Sequence, residues 1–163
     1  MLATRPMTWQ DVLNDPSLQD LPYKIELDEH GQIIMSPASK PHARYSFKIA
    51  KILDTQLENG EGITEPPVET SRGIRVPDAS WASTSRANQP GDLFTTAPEI
   101  CVEVISPSNT TEEIQAKLEL YLKAGALEVW TCNLQGEMRF YDANGELEQS
   151  KFAPNFPAHI TLG

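Results

Sequence analysis

An α/β fold built on a mixed β-sheet is predicted by three features of the sequence. Apolar periodicity switches along the chain between the strand repeat of about two residues and the helix repeat of about 3.6, in the order helix, hairpin, helix, several strands, helix, strand hairpin. The run Glu99-Ile100-Cys101-Val102-Glu103-Val104-Ile105-Ser106 is almost wholly β-branched or apolar, the pattern of a central strand covered on both faces. Helix-capping and turn residues then punctuate the chain between these segments.

Taken in order, Thr8-Trp9-Gln10-Asp11 resembles a capping box, and Met7 with Val12 has the spacing of a hydrophobic staple. A short helix is expected there, ending by Asn14 to Pro16. Tyr23 to Leu27 and Gln32 to Ser36, joined by Asp28-Glu29-His30-Gly31, read as a β-hairpin in which Glu26 faces away from Ile25 and Leu27. Ser39 caps a helix with Pro41 in its first turn and Asn59-Gly60 as its stop. On that helix His42, Tyr45, Ile49, Ile52, Leu53 and Leu57 form one stripe, and Lys40, Arg44, Lys48 and Lys51 cluster opposite. Such a basic face is ordinarily a solvated one, and it is also the strongest positive surface this acidic chain can build from one element. His42, turned inward near the helix start, reads as a hydrogen-bonded structural histidine rather than a catalytic one.

Gly62 to Thr70, with Pro66-Pro67, reads as an edge-like or interrupted strand, because proline cannot donate to a ladder. From Ser71 to Gly91 the only acid is Asp78, against Arg72, Arg75 and Arg86. Ile74 to Ala82 is expected as one strand and Asn88 to Asp92 as a loop, after which Pro98 leads into the strand Ile100 to Ser106. Ser106-Pro107-Ser108-Asn109 is a turn, and Thr110-Thr111-Glu112-Glu113 caps a helix running to about Ala124 with Gly125 as terminator. Ile114, Leu118, Tyr121 and Leu122 form its core face, and Lys117 is the charge nearest that seam. A surface pair with Glu113 is the purely structural account of Lys117. Leu127 to Leu134, the turn Gln135-Gly136 and Met138 to Tyr141 make a second hairpin, Asn144-Gly145 marks another turn, and the remainder through His159-Ile160 reads as a strand or strap.

The 163 residues suit a single domain, 1–163. No apolar run approaches the ~20 residues that span a bilayer, and the first residues, with Arg5, Pro6 and Trp9, lack the apolar core of a signal peptide. A cytoplasmic protein is expected. Cys101 and Cys132 fall in buried strands without metal-ligand spacing and read as packed free thiols. The formal net charge of -10 means that DNA binding requires a local basic patch.

The chemistry centres on Glu103. An ionised carboxylate in a buried strand needs a cation, a metal or hydrogen bonds, and Asp78 is the candidate to share that partner. Two carboxylates beside each other at a sheet, with a lysine from a neighbouring helix, are the parts of metal-assisted phosphodiester hydrolysis. Mg²⁺ or Mn²⁺ takes oxygen ligands, here Asp78, Glu103 and the backbone carbonyl of Val104, while Lys117 supplies the charge-stabilising ammonium.

Val76-Pro77-Asp78, then Glu103-Val104-Ile105-Ser106-Pro107-Ser108, then Lys117 and Tyr121 ahead of Gly125-Ala126-Leu127-Glu128-Val129-Trp130, resemble the endonucleases of the restriction-endonuclease-like PD-(D/E)XK superfamily. The fit is to the group abundant in cyanobacteria and designated a domain of unknown function. Glu26, the Gly31 to Pro37 run and His42 resemble that group's N-terminal pattern, so the likeness spans Tyr23 to Tyr141 and sets the core at about 23–141. The resemblance implies a mixed sheet flanked by helices, a divalent-metal site and DNA cleavage, with Asp78 and Glu103 at the acidic motif positions and Glu26 as an additional acid. The motif's usual lysine position holds Ile105, so the ammonium must come from Lys117, as in relatives with a displaced lysine. The strand after Trp130, often Val-Asp-Pro in the group, is Thr131-Cys132-Asn133. Two functions follow as expectations: a Mg²⁺- or Mn²⁺-dependent DNA endonuclease, or an inactive nuclease-fold module acting through protein binding or homodimerisation, with the Leu127 to Tyr141 hairpin as its surface. A two-carboxylate glycosidase is a distant third, since no aromatic sugar-binding series surrounds the acids.

Overall fold

In the computed structural model, which describes residues 5–163, the expected capping box opens helix α1 (Trp9–Asn14): the Thr8 hydroxyl accepts from the Asp11 N–H and the Asp11 carboxylate from the Thr8 N–H. The hairpin is β1 (Tyr23–Leu27) with β2 (Ile33–Pro37), Glu26 lying opposite Ile34. Helix α2 (Lys40–Gln56) starts at the Ser39 cap and stops before the expected Asn59-Gly60, because Leu57 is already extended.

At two neighbouring proline sites a strand is broken, the first as expected from the sequence and the second against the expectation of one continuous strand. Proline breaks the ladder, and the chain uses each break to change sheets. The interrupted strand is β3 (Gly60–Thr64) and β4 (Val68–Thr70), separated by Glu65 at φ 52° and Pro66-Pro67. The expected single strand from Ile74 to Ala82 is β5 (Gly73–Arg75) and β6 (Ala79–Ser83), with Val76-Pro77-Asp78 as the crossing between them. A short helix α3 (Thr84–Ala87), not expected from the sequence, follows. Then come β7 (Ile100–Val104), α4 (Thr111–Lys123) with its Thr110 cap, β8 (Glu128–Cys132), β9 (Met138–Asp142) and β10 (Gly145–Leu147).

There are thus two sheets rather than one. The smaller has the order β2-β1-β5-β4 and the larger β10-β9-β8-β7-β6-β3. The larger is mixed, since β7 and β8 are parallel and joined through α4, while its other pairings are antiparallel. All five residues of β7 are buried, as expected for a central strand. Alternation sends Ile100, Val102 and Val104 to the face covered by Tyr45, Ile49 and Leu53 of α2, and Cys101 to the face covered by Leu118 and Tyr121 of α4. Glu103, in step with Cys101, therefore points toward α4.

The segment after β10 is a strap that buries Ala153, Phe156 and Ile160 against the α2 face, with Phe156 4.6 Å from the Trp130 ring. Its attachment point is Glu128, fully buried, which accepts from Trp130 Nε1 at 2.9 Å, Ser150 Oγ at 2.7 Å and the Lys151 N–H at 2.8 Å. Both cysteines are buried and free. The strand β8 is wholly buried, so within the two strands of the Leu127 to Tyr141 hairpin expected to support self-association only the return strand β9 has an exposed position. Among the described residues no helix is long and apolar enough to cross a membrane.

Candidate active site

The crossing Val76-Pro77-Asp78 links β5, inside the smaller sheet, to β6 of the larger, and the acids meet there. Asp78 enters the larger sheet just before β6, its N–H donating to the Val102 carbonyl of β7 at 3.0 Å. Its Oδ2 accepts the Val104 N–H at 2.7 Å. Asp78 and Glu103 are therefore side by side on adjacent strands, both buried. Glu26, also buried, reaches the same seam from β1, where its Oε2 accepts the Val76 N–H at 2.7 Å.

Two lysines join these acids into a ladder of alternating charge. Lys117 Nζ lies 3.4 Å from Glu103 Oε1 and 3.8 Å from Glu26 Oε1. Lys24 Nζ lies 3.1 Å from Asp78 Oδ1, 3.6 Å from Glu103 Oε2 and 2.8 Å from the Val76 carbonyl, to which it donates. The order is Glu26, Lys117, Glu103, Lys24, Asp78. The Tyr121 hydroxyl donates to Glu103 Oε1 at 2.7 Å. Lys117 thus faces Glu103 and Glu26, and Glu113 instead accepts from Asn109 at 3.2 Å.

The electrostatics follow from burial and from this order. Burial would raise Glu103, but Lys117 and Lys24, helped by the Tyr121 hydroxyl, lower it to about 2. Burial and the Glu103 charge push Asp78 up to about 7, against the pull of Lys24 and the Val104 N–H. Burial works to discharge Lys24, yet Glu103, Asp78 and Glu26 together hold it above the usual lysine value. In the tightly coupled pair, Glu103 keeps the charge and Asp78 the proton. Tyr121 is raised well above the ordinary phenol by burial and by Glu103, so it acts as a donor.

The donor set can be tested against the expected metal. Among the described residues no group of three His, Cys, Asp or Glu side chains converges as a metal cage. Glu26 is engaged by Val76 and Lys117, which leaves Asp78, Glu103 and main-chain oxygen. Such hard oxygen donors fit Mg²⁺ or Mn²⁺, with water completing the coordination. The Val104 carbonyl lies 2.9 Å from His42 Nε2, while His42 Nδ1 lies 2.9 Å from Ser39 Oγ. His42 is the expected structural histidine, yet it holds a proposed ligand. A cavity of about 60 Å³ opens beside Glu103, Lys117 and Thr131, walled also by Ile105 and Ile114.

Sequence reasoning missed Lys24. Its signal was present: it lies two residues before Glu26 in one strand, so the two share a face. The basic face of α2 is partly engaged, Arg44 donating to the Gly163 carbonyl at 2.7 Å and Lys48 to that of Thr161 at 3.5 Å.

A family model described as "Uma2: Putative restriction endonuclease" matches residues 14–158. A crystal structure described as "a putative nuclease belonging to DUF820 from Anabaena variabilis ATCC 29413" superposes with a TM-score of 0.73 at 19% identity, covering 96% of this chain and 95% of that one. At that identity the likeness is one of fold. No curated protein matches the chain.

Proposed function

The chain belongs to the Uma2 family of restriction-endonuclease-like proteins, and on that premise we propose that it is a divalent-metal-dependent endonuclease hydrolysing DNA phosphodiester bonds. The observation that best supports this reading is Lys117 Nζ, 3.4 Å from Glu103 Oε1, the carboxylate that stands beside Asp78. A displaced lysine therefore reaches the acids from the helix, as hydrolysis with Ile105 in the usual lysine position requires.

Asp78, Glu103 and the Val104 carbonyl would hold Mg²⁺ or Mn²⁺. When bound, the ion polarises the phosphoryl group and makes its water a better nucleophile. Glu103 is ionised and ready to ligate. Asp78, raised to about 7, would serve as a ligand in its carboxylate form, which a neighbouring cation favours. Lys117 is about one-third exposed, so its ammonium can meet a phosphate oxygen and stabilise charge that develops there. Glu26, fixed on the Val76 N–H, aims that ammonium from the second side.

Purified protein should nick and linearise supercoiled plasmid in Mg²⁺ or Mn²⁺ and not in EDTA. Asp78→Ala should be inactive while still unfolding cooperatively, and Lys117→Met should lose about 10²–10³-fold in turnover. A wild-type protein inert on duplex, single-stranded and branched DNA would show the reading to be wrong. In this reading the functional unit is the single domain 1–163, and a homodimer would carry two such sites, a state that light scattering after size exclusion measures.

A further inference from the structure

Lys24 occupies a more demanding position than Lys117. Its side chain is 12% exposed against 34% for Lys117. Its Nζ addresses three oxygens at once: the Val76 carbonyl at 2.8 Å, Asp78 Oδ1 at 3.1 Å and Glu103 Oε2 at 3.6 Å. The other carboxylate oxygens are already engaged, Asp78 Oδ2 by the Val104 N–H and Glu103 Oε1 by Tyr121 and Lys117. The oxygens left to bridge Asp78 and Glu103 are those the Lys24 ammonium faces.

An ammonium and a divalent ion have the same appetite for hard oxygen, and both are cations, so they repel one another at the separations this pocket allows. We propose that Lys24 is the affinity-determining residue of the metal site, an internal cation held between Asp78 and Glu103 that must withdraw from them as the divalent ion is bound. This rests on the metal-dependent reading given above. It assigns Lys24 a role distinct from that of Lys117, whose contacts lie on Glu103 Oε1 and Glu26 and do not include the shared oxygens. The exchange needs no redox partner: the divalent ion takes the place of the Lys24 ammonium on the carboxylates, and the proton that Asp78 holds leaves to solvent.

The competition is measured by titrating Mn²⁺ into wild type, Lys24→Met and Lys117→Met by calorimetry. Lys24→Met keeps the apolar stem and removes the charge. It should bind Mn²⁺ at least about tenfold more tightly than wild type, a difference well within what one nearby charge produces. It should also melt lower than wild type in EDTA and gain more from added Mn²⁺, because its metal-free carboxylates have lost their cation. Equal or weaker Mn²⁺ binding by Lys24→Met, with wild type binding, overturns the role of Lys24 and leaves the metal reading standing. Absence of Mn²⁺ binding in both proteins removes the metal reading and this inference together.

A second measurement uses wild type alone and does not depend on how the variant folds. Acetylation of lysines by a limiting anhydride, read by mass spectrometry, should modify Lys24 several-fold faster with Mg²⁺ than in EDTA, since the amine is released from its ion pairs. Lys24 equally protected under both conditions overturns the proposal.

Discussion

Glu103 keeps its charge in the interior because a tyrosine hydroxyl and two ammonium groups point at it. Tyr121→Phe removes the neutral member of that set without changing shape. It should cost about 1.5–3 kcal/mol, the range for a hydrogen bond to a charged group, measured from urea midpoints. The shifted acids also set the pH dependence of the metal-free protein. Asp78 is raised to about 7 in the folded state, against an ordinary value of about 3.9. Between those values the folded protein holds a proton that the unfolded chain has released, so stability falls as pH rises and levels off above about 7. Glu103 has the opposite sign: held at about 2, its contribution is full above the ordinary value of about 4.3 and is lost only as pH drops toward 2. Urea midpoints in EDTA should therefore decline between about pH 5 and 7, and the decline should be absent in Asp78→Ala. A wild-type midpoint that climbs through that interval rules out a protonated Asp78.

At the scale of elements, the site depends on how β5 lies against β1. Gly73 opens β5 at φ 90°, and a Cβ there would collide with the Leu27 carbonyl of β1. Gly73→Ala should cost about 1–3 kcal/mol from backbone strain alone, with more from the collision, and should weaken Mn²⁺ binding because Val76 is displaced from Glu26 and Lys24. Thermal melting and calorimetry on the same sample check both effects. Individual elements were legible in the sequence because capping, turn chemistry and periodicity are local: Thr8, Ser39 and Thr110 cap the helices they were expected to cap. The sheet change at Pro77 was not legible, because a proline in an apolar run signals a broken ladder without saying where the chain goes next. The convergence of Asp78, Glu103 and Lys117 was legible because each is a charge on or beside an apolar face. Lys24 escaped because the face it shares with Glu26 on the hairpin cannot be told as solvent or site until the second sheet is known to lie against it.

For the whole molecule, a net charge of -10 opposes approach to DNA. If the proposed divalent ion binds at the seam it would add positive charge there, so DNA binding should be weak in EDTA and strengthen in Ca²⁺, a hard cation that takes the same oxygen ligands. Gel shifts in the two conditions test this, and identical affinities would place the DNA surface away from the acids. The strap after β10 also contributes to the core on the α2 face. Phe156→Ala leaves a hole against Trp130 and should cost about 3–5 kcal/mol, measured by chemical denaturation.

Glu128, at the root of that strap, bears on how such a scaffold could be redesigned. Its carboxylate is buried with neutral donors alone, while the Lys151 ammonium beside it turns to Asp142 at 2.7 Å. This interior can therefore house an acid without any ammonium. A chemically silent version of the acidic seam has its blueprint in the same molecule: indole, hydroxyl and amide donors in place of Lys24 and Lys117.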